Sequence, residues 1–294
     1  MTDRPQRALL MKGNKITRPV MRYHGAKYRL APWIMSFFPP HKCYVEPFGG
    51  GGSVLMQKTR AYAEVYNDLD GEIVNVFRVL QDGKMSARLR EVLLATPYAR
   101  EEFETAWDVS ECPVEMARRT LIRAFMGFGS AGATKGSTGF RIDSMRAYKL
   151  AAHLWAEHPI HIQTFTCRLA GVIIEHRPAI SVIMQHDAAD TLIYADPPYV
   201  HESRYNTGGK ARKCYRHEMS DDQHRELIEV LRNCQGSVVL SGYPSDLYSE
   251  MLSDWTCHQT KARISANTGT SVRIECVWLN PRCKDMQGQQ RMFA

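Results

Sequence analysis

Residues Tyr44 to Leu55 read Tyr-Val-Glu-Pro-Phe-Gly-Gly-Gly-Gly-Ser-Val-Leu, an apolar strand that runs into consecutive glycines and out into a helix. Glycine in such a run weakens helix and strand alike, so the chain must turn there. Missing β-carbons let a ligand lie against the backbone, and the amides at the start of the following helix can bind its polar end. Beyond the turn, Ala63 to Tyr66 form a short strand-like stretch closing on Asn67-Asp68. An acid after the second strand of such a unit typically holds ribose hydroxyls. Turn and acid together point to a nucleoside cofactor. The Lys-Ser/Thr of a phosphate loop is missing and the dinucleotide fingerprint is not met, so ATP and NAD are less natural ligands.

A second run carries the chemistry. Leu192 to Tyr199, Leu-Ile-Tyr-Ala-Asp-Pro-Pro-Tyr, is an apolar strand that stops at a carboxylate, two prolines and an aromatic ring. Prolines cannot donate amide hydrogens or continue a sheet, so the Asp196 carboxylate and the Pro197 carbonyl are expected to stand at a strand end as fixed acceptors. Tyr199 would offer a flat face beside them. Two acceptors and a ring suit a planar base with an exocyclic amino group, which adenine or cytosine presents once it leaves a duplex. The plainer reading is a strand ending in a Pro-Pro turn.

Tyr23-His24-Gly25-Ala26-Lys27, Glu46-Pro47-Phe48-Gly49-Gly50-Gly51, Asn67-Asp68 and Asp196-Pro197-Pro198-Tyr199 occur in that order. This series resembles the motifs of the Dam-like class of adenine-specific DNA methyltransferases, across most of the chain. The phage- and prophage-encoded branch is the closer likeness, around Val45 to Val79 and Thr191 to Arg204. The resemblance implies an α/β, Rossmann-like methyltransferase fold with a mostly helical inserted target-recognition domain. It also implies S-adenosylmethionine as cofactor, and DNA as substrate, methylated at the adenine 6-amino group. Carried over residue by residue, it puts Tyr23 and Lys27 at the methionine end of the cofactor, where a cation would pair with the carboxylate. Glu46, Phe48, Gly49 and Gly51 would cradle the methionine portion, Asp68 would take the ribose, and Asp196 would sit where cofactor and base meet. The plainer reading of Lys27 is a surface lysine.

Two positions depart from the family pattern. Ala26 replaces a second glycine before the lysine, and Pro178-Ala179 stands where the branch has Asp-Ala. The second change removes a carboxylate expected near the cofactor's adenine. Pro178 has no amide hydrogen to replace it, so recognition would pass to other backbone groups or to Glu175.

Asp196, Pro197, Pro198 and Tyr199 form the expected catalytic strand end. A sulfonium methyl is already electrophilic, so neither a metal nor a covalent nucleophile is required. Acceptors at Asp196 and Pro197 would favour the pyramidal nitrogen of the transition state, and in-line alignment adds proximity. Extruding the base costs a few kcal/mol, part of which stacking on Tyr199 would offset.

A chain of 294 residues that is 44% hydrophobic can bury one substantial core and a smaller lobe. Its formal net charge of +7 favours a polyanionic partner, although many basic proteins bind no nucleic acid. Eight cysteines without a CxxC pair, and eleven histidines without ligand spacing, read as reduced thiols and no metal site. His158 and His161 are expected at the surface. No apolar run approaches a membrane span, and Met1 to Pro19 lacks a signal-peptide core, so a cytoplasmic protein of a bacterial host cell is expected.

The core is expected in two pieces, residues 1–83 and 166–294, around an insertion at 84–165. Asp70 should cap a helix with Ile73, Val76, Phe77 and Leu80 on one face, ending near Gly83. Val172 to Glu175, Thr191 to Ala195, Ser237 to Leu240 and Val272 to Leu279 read as strands, with a helix capped by Ser220 and Gln223. Within the insertion, helical segments broken at Pro97 and Pro113 carry Arg118, Arg119 and Arg123, and lead into the Gly/Ser/Thr-rich run from Gly127 to Arg141. That run stands where the Dam-like class has a DNA-contacting hairpin, without the Asn and Arg pattern of its GATC-specific members. Arg123, Lys135 and Arg141 are the candidate DNA contacts there; a neutral loop is the other reading. After the tetrapeptide, Arg204, Lys210, Arg212, Lys213 and Arg216 alternate with Tyr205 and Tyr215, which suits a strand with an unstacked base or a solvated basic loop. An adenine DNA methyltransferase is the reading adopted; the sequence leaves the oligomeric state open, with a monomer slightly favoured. The alternatives are methylation of the cytosine 4-amino group and an inactive DNA-binding relative; a part in restriction-modification or phage DNA protection is analogy.

Overall fold

The structure, a computed structural model, describes residues 15–129, 132–133, 138–142, 144, 150–200, 216–266 and 269–285. A seven-stranded sheet organises them in the order β3-β2-β1-β4-β5-β7-β6. The strands are β1 (Cys43–Glu46), β2 (Ala63–Asn67), β3 (Ile173–Glu175), β4 (Thr191–Ala195), β5 (Ser237–Gly242), β6 (Thr256–Ala266) and β7 (Gly269–Leu279). The first five pair in parallel, while β7 runs antiparallel to both β5 and β6.

Side chains alternate across the sheet, and each face has its own cluster. Tyr44, Tyr66, Leu192, Tyr194, Val239 and Val277 enter one; Val45, Val65, Ile193, Val238, Leu240 and Trp278 enter the other. That period of two leaves both faces of the sheet apolar, so both must be covered. The first face is covered by α3 (Gly71–Gln81), α4 (Gly83–Ala95), α6 (Pro113–Met126) and α8 (Ile162–Leu169), with α1 (Ala31–Met35), α5 (Arg100–Thr105) and α7 (Ala151–Glu157) packed alongside. α2 (Ser53–Gln57) follows the glycine turn. The second face is covered by α9 (Ala179–His186), α10 (Asp221–Arg232) and α11 (Asp246–Met251).

Local chemistry explains the helix boundaries. Asp70 caps α3 by accepting from the Glu72 amide at 3.0 Å, and Ile73, Val76, Phe77 and Leu80 are buried as the pattern implies, together with Val74 and Val79. α3 ends at Gln81, beside the expected Gly83, and Asp82 accepts from the amides of Lys84 and Met85 and so starts α4 at once. Ser220 and Gln223 make a capping box on α10.

The sheet has one strand more than the sequence pattern suggested. β6 is an edge strand carrying His258, Gln259 and Lys261; facing solvent along one edge, it lacks the apolar alternation that marks its neighbours. Gly127 and Phe140 pair in an antiparallel bridge, with the Phe128 amide donating to the Gly139 carbonyl at 2.7 Å. His158, expected at the surface, is buried against Phe125 with ring centroids 4.4 Å apart, and burial pushes its imidazole down to about 3. The 3-10 turn His158–His161 carries it into the helical layer through Pro159.

Candidate active site

Order reversal places the site. From β1 the chain builds β2 and β3 to one side, then crosses to β4 on the other, so a crevice opens at the carboxyl ends of β1 and β4, the usual ligand position of an open α/β sheet. A cavity of about 400 Å³ lies there. All eight residues expected to contact a cofactor border it, from Tyr23 and Lys27 through the glycine turn to Asp68 and Asp196.

The turn is held from three sides. Asp68 Oδ2 accepts from the Gly50 amide at 2.7 Å, and its Oδ1 accepts from Asp70 at 2.8 Å. The Tyr66 hydroxyl donates to the Gly50 carbonyl at 2.7 Å, and a β-carbon on Gly49 would overlap the Tyr66 ring. Gly52 sits at φ +60°, with the Phe77 ring 2.7 Å from where a β-carbon would be, so no other residue fits that turn unstrained. Burial raises the Asp68 carboxyl. Asn67, at the end of β2, accepts from the Arg177 amide at 2.9 Å and donates to the carbonyls of Pro47 and Arg177. This clasp brings Pro178, Ala179, Ile180 and Ser181, the start of α9, onto the cavity wall. Glu175 is not on that wall; its carboxylate lies 3.9 Å from Arg177.

Glu46 is a strut of the turn. Its Oε2 accepts from the Leu55 amide at 2.9 Å and from the Tyr44 hydroxyl at 2.7 Å, and burial pushes its carboxyl up to about 8. Since the ordinary value is 4.5, the folded chain retains a proton there that the unfolded chain has released. Stability at this position therefore falls as pH rises from 4.5 towards 8. Glu46→Gln, isosteric with the protonated form, should gain roughly 3 kcal/mol on wild type between about pH 6 and about pH 9 in urea titrations. A difference that stays flat with pH would show that Glu46 is ionised throughout.

The catalytic strand end departs from expectation. Asp196 is held at the end of β4: the Lys27 ammonium lies 2.8 Å from Oδ1 and 3.0 Å from Oδ2, and the Ser241 hydroxyl donates to Oδ1 at 2.8 Å. Oδ2 keeps a lone pair for a further donor. Lys27, expected to meet a cofactor carboxylate, is only 4% exposed and is turned to Asp196, to the Tyr199 hydroxyl and to the Gly25 carbonyl at 3.1 Å. Asp196 and Pro198 border the cavity; Pro197 and Tyr199 are buried behind it. The Tyr199 ring packs at 45° against Tyr243, centroids 4.2 Å apart, so in this arrangement it is not an open stacking face.

Arg123 faces inward rather than towards a phosphate. It is 3% exposed, ion-paired with Glu72, hydrogen-bonded to Thr120 at 3.0 Å and lies over the Trp107 ring. Arg118 and Arg119 pair with Glu115 at 2.7 Å each. Arg141 is buried as well, its carbonyl accepting from Tyr98 at 2.7 Å. Lys135, Arg204, Lys210, Arg212 and Lys213 lie outside the described residues. Arg216 joins the cavity wall and pairs with Asp70 at 3.0 Å and Glu72 at 3.1 Å. Ser241 and Glu275, which also shape this site, carry no motif; only the proximity of their strands to β4 reveals them.

The chain is similar along most of its length to known methyltransferases. Over 285 residues the chain is 26% identical to the type II methyltransferase M1.LlaDCHI of Lactococcus lactis subsp. cremoris, covering 90% of this chain and 95% of that one. It is 22% identical over 271 residues to a DNA adenine methylase of Salmonella typhi, covering 89% and 94%. A DNA adenine methylase of Haemophilus influenzae is 21% identical, covering 88% and 91%. Residues 23–266, which span the glycine turn, the helical segments and the Asp-Pro-Pro-Tyr strand end, match the family model, and the chain belongs to the D12 class N6 adenine-specific DNA methyltransferases.

Proposed function

We propose that the cavity takes S-adenosylmethionine and that the chain methylates the 6-amino group of an adenine flipped out of duplex DNA. One observation carries the cofactor assignment: every expected contact residue, Asp196 included, lies on the wall of one cavity. The donor set fits such a ligand. Asp68 has lone pairs left for ribose hydroxyls, half-buried Phe48 and Ile180 offer apolar surface for a ring, and the glycine turn admits close backbone approach. With no carboxylate at position 178, the first-turn amides of Ala179 and Ile180 would read the ring edge. Bound there, the cofactor supplies an electrophilic methyl group.

The chain's own task is to orient the amine. Asp196 Oδ2, on the cavity wall, accepts one of its hydrogens, localising the nitrogen lone pair as the transition state forms. Lys27 is assigned to hold Asp196 in place. The insertion at 84–165 and the segment after Tyr199 are assigned to DNA, supported by the net charge of +7. The likeness at 45–79 and 191–204 supports the phage-type branch.

The test is transfer of label from radiolabelled S-adenosylmethionine to unmethylated duplex DNA, followed by digestion to nucleosides. Label in 6-methyladenosine is expected. Label in 4-methylcytosine would reassign the base, and no transfer despite DNA binding would indicate an inactive relative, with Pro178 the first position to restore.

A further inference from the structure

Because β7 runs antiparallel to β5, its residues before Cys276 extend past the carboxyl end of β5, where Gly242 pairs with Cys276. Glu275 therefore arrives beside the end of β4 from the far side of the sheet. Its carboxylate is 4% exposed, accepts from the Tyr199 hydroxyl at 2.6 Å and lies 3.4 Å from the Lys27 ammonium. Lys27 in turn holds Asp196 and donates to the Tyr199 oxygen. One buried cation is thus shared by two carboxylates, and a phenol bridges the cation to the second of them.

We propose that Glu275 is a positioning residue for methyl transfer: it divides the Lys27 charge with Asp196 and fixes the Tyr199 hydroxyl, so that Asp196 stays a strong acceptor for the amino group. This rests on the function proposed above. The physical argument is a competition. An ammonium paired with a single carboxylate weakens that carboxylate as an acceptor for any further donor; a second buried carboxylate on the same ammonium restores it. Tyr199 has one hydroxyl proton. Giving it to Glu275 leaves the phenol oxygen to accept from Lys27, which sets the ring and the ammonium together. The groups facing Glu275 are Lys27, Asp196 and Tyr199, with Tyr243 beyond them under the Arg273 guanidinium.

Glu275 also has a titration that this role would transmit. Burial holds its carboxyl above the ordinary 4.5, opposed by Lys27. As pH falls through that raised value Glu275 becomes neutral, Lys27 turns wholly to Asp196, and transfer slows.

Glu275→Gln retains shape and an acceptor oxygen, so folding should survive, with a thermal melt as the check. Two readouts are made on wild type and variant: single-turnover methyl transfer across pH, and the ¹⁵N–¹H signal of the buried Lys27 ammonium, identified by its loss in Lys27→Met. Expected for Glu275→Gln are a transfer rate at least tenfold lower at pH 8, cofactor affinity within about threefold of wild type, and loss of the acid limb, with a matching loss of pH dependence in the Lys27 signal. A rate within twofold of wild type, or an unchanged acid limb, overturns the proposal. If wild type itself transfers no methyl group, the function reading fails and the positioning role with it. The Lys27 signal then separates the two failures, since a signal still coupled to Glu275 leaves the charge sharing intact without a reaction to serve.

Discussion

Asp196→Ala is expected to slow methyl transfer by at least about 10²–10³-fold, the usual cost of removing one preorganised charge-stabilising group from a buried site. The carboxylate is fixed by Lys27 and Ser241 before any substrate arrives, so no reorganisation accompanies the reaction. Its remaining lone pair on Oδ2 is the acceptor through which the amino nitrogen would be localised. The loss should fall on the rate and not on the fold, because Lys27 keeps Glu275 at 3.4 Å as a counter-ion. Single-turnover kinetics at saturating cofactor and DNA, with cofactor affinity measured calorimetrically, decide the matter. A rate within tenfold of wild type would place the reacting amine away from the β4 strand end.

Lys27→Met should have the reverse balance, losing stability as well as activity. The ammonium is 4% exposed and is the shared partner of Asp196 and Glu275, whose side chains are 18% and 4% exposed. Removing one partner of a buried ionic cluster costs about 3–5 kcal/mol, because the remaining charges stay desolvated without compensation. The sign with pH follows from the carboxylates. Glu275 already lies above its ordinary value, and loss of Lys27 raises it further. The folded variant then binds protons that the unfolded chain does not, and its stability recovers as pH falls through the raised value. Urea midpoints measured near neutrality and near pH 5 should show a larger deficit at the higher pH. A deficit below about 1 kcal/mol at both would mean that water already compensates this cluster.

Local chemistry made much of the scaffold legible. The Asp70 cap, the Ser220–Gln223 box, the glycine turn and the β4 span Thr191–Ala195 can each be read from a few adjacent residues, because caps, turns and strand ends depend on near neighbours. The elements that escaped are those whose identity depends on distant partners. β6 is polar because it lies at an edge, which no local pattern announces. Arg123 and His158 look like surface residues in sequence, but lie inside because Glu72 and Phe125 meet them there.

What the sequence determined by itself is the order of the motifs, and with it the family and the wall of one cavity: the glycine turn, the acid after β2 and the carboxylate after β4 each end a strand, and parallel strands in this order bring those ends together. Only the tertiary structure decided how the charges at that wall are shared. Whether Lys27 faces a ligand or Asp196, whether Tyr199 is open or packed on Tyr243, and whether Glu275 belongs to the site at all depend on β7 entering antiparallel beside β5, a pairing across dozens of residues that leaves no periodic mark in the chain. Electrostatic partnership is set by distance in space and by shared burial, and neither is written in the spacing of residues along the sequence.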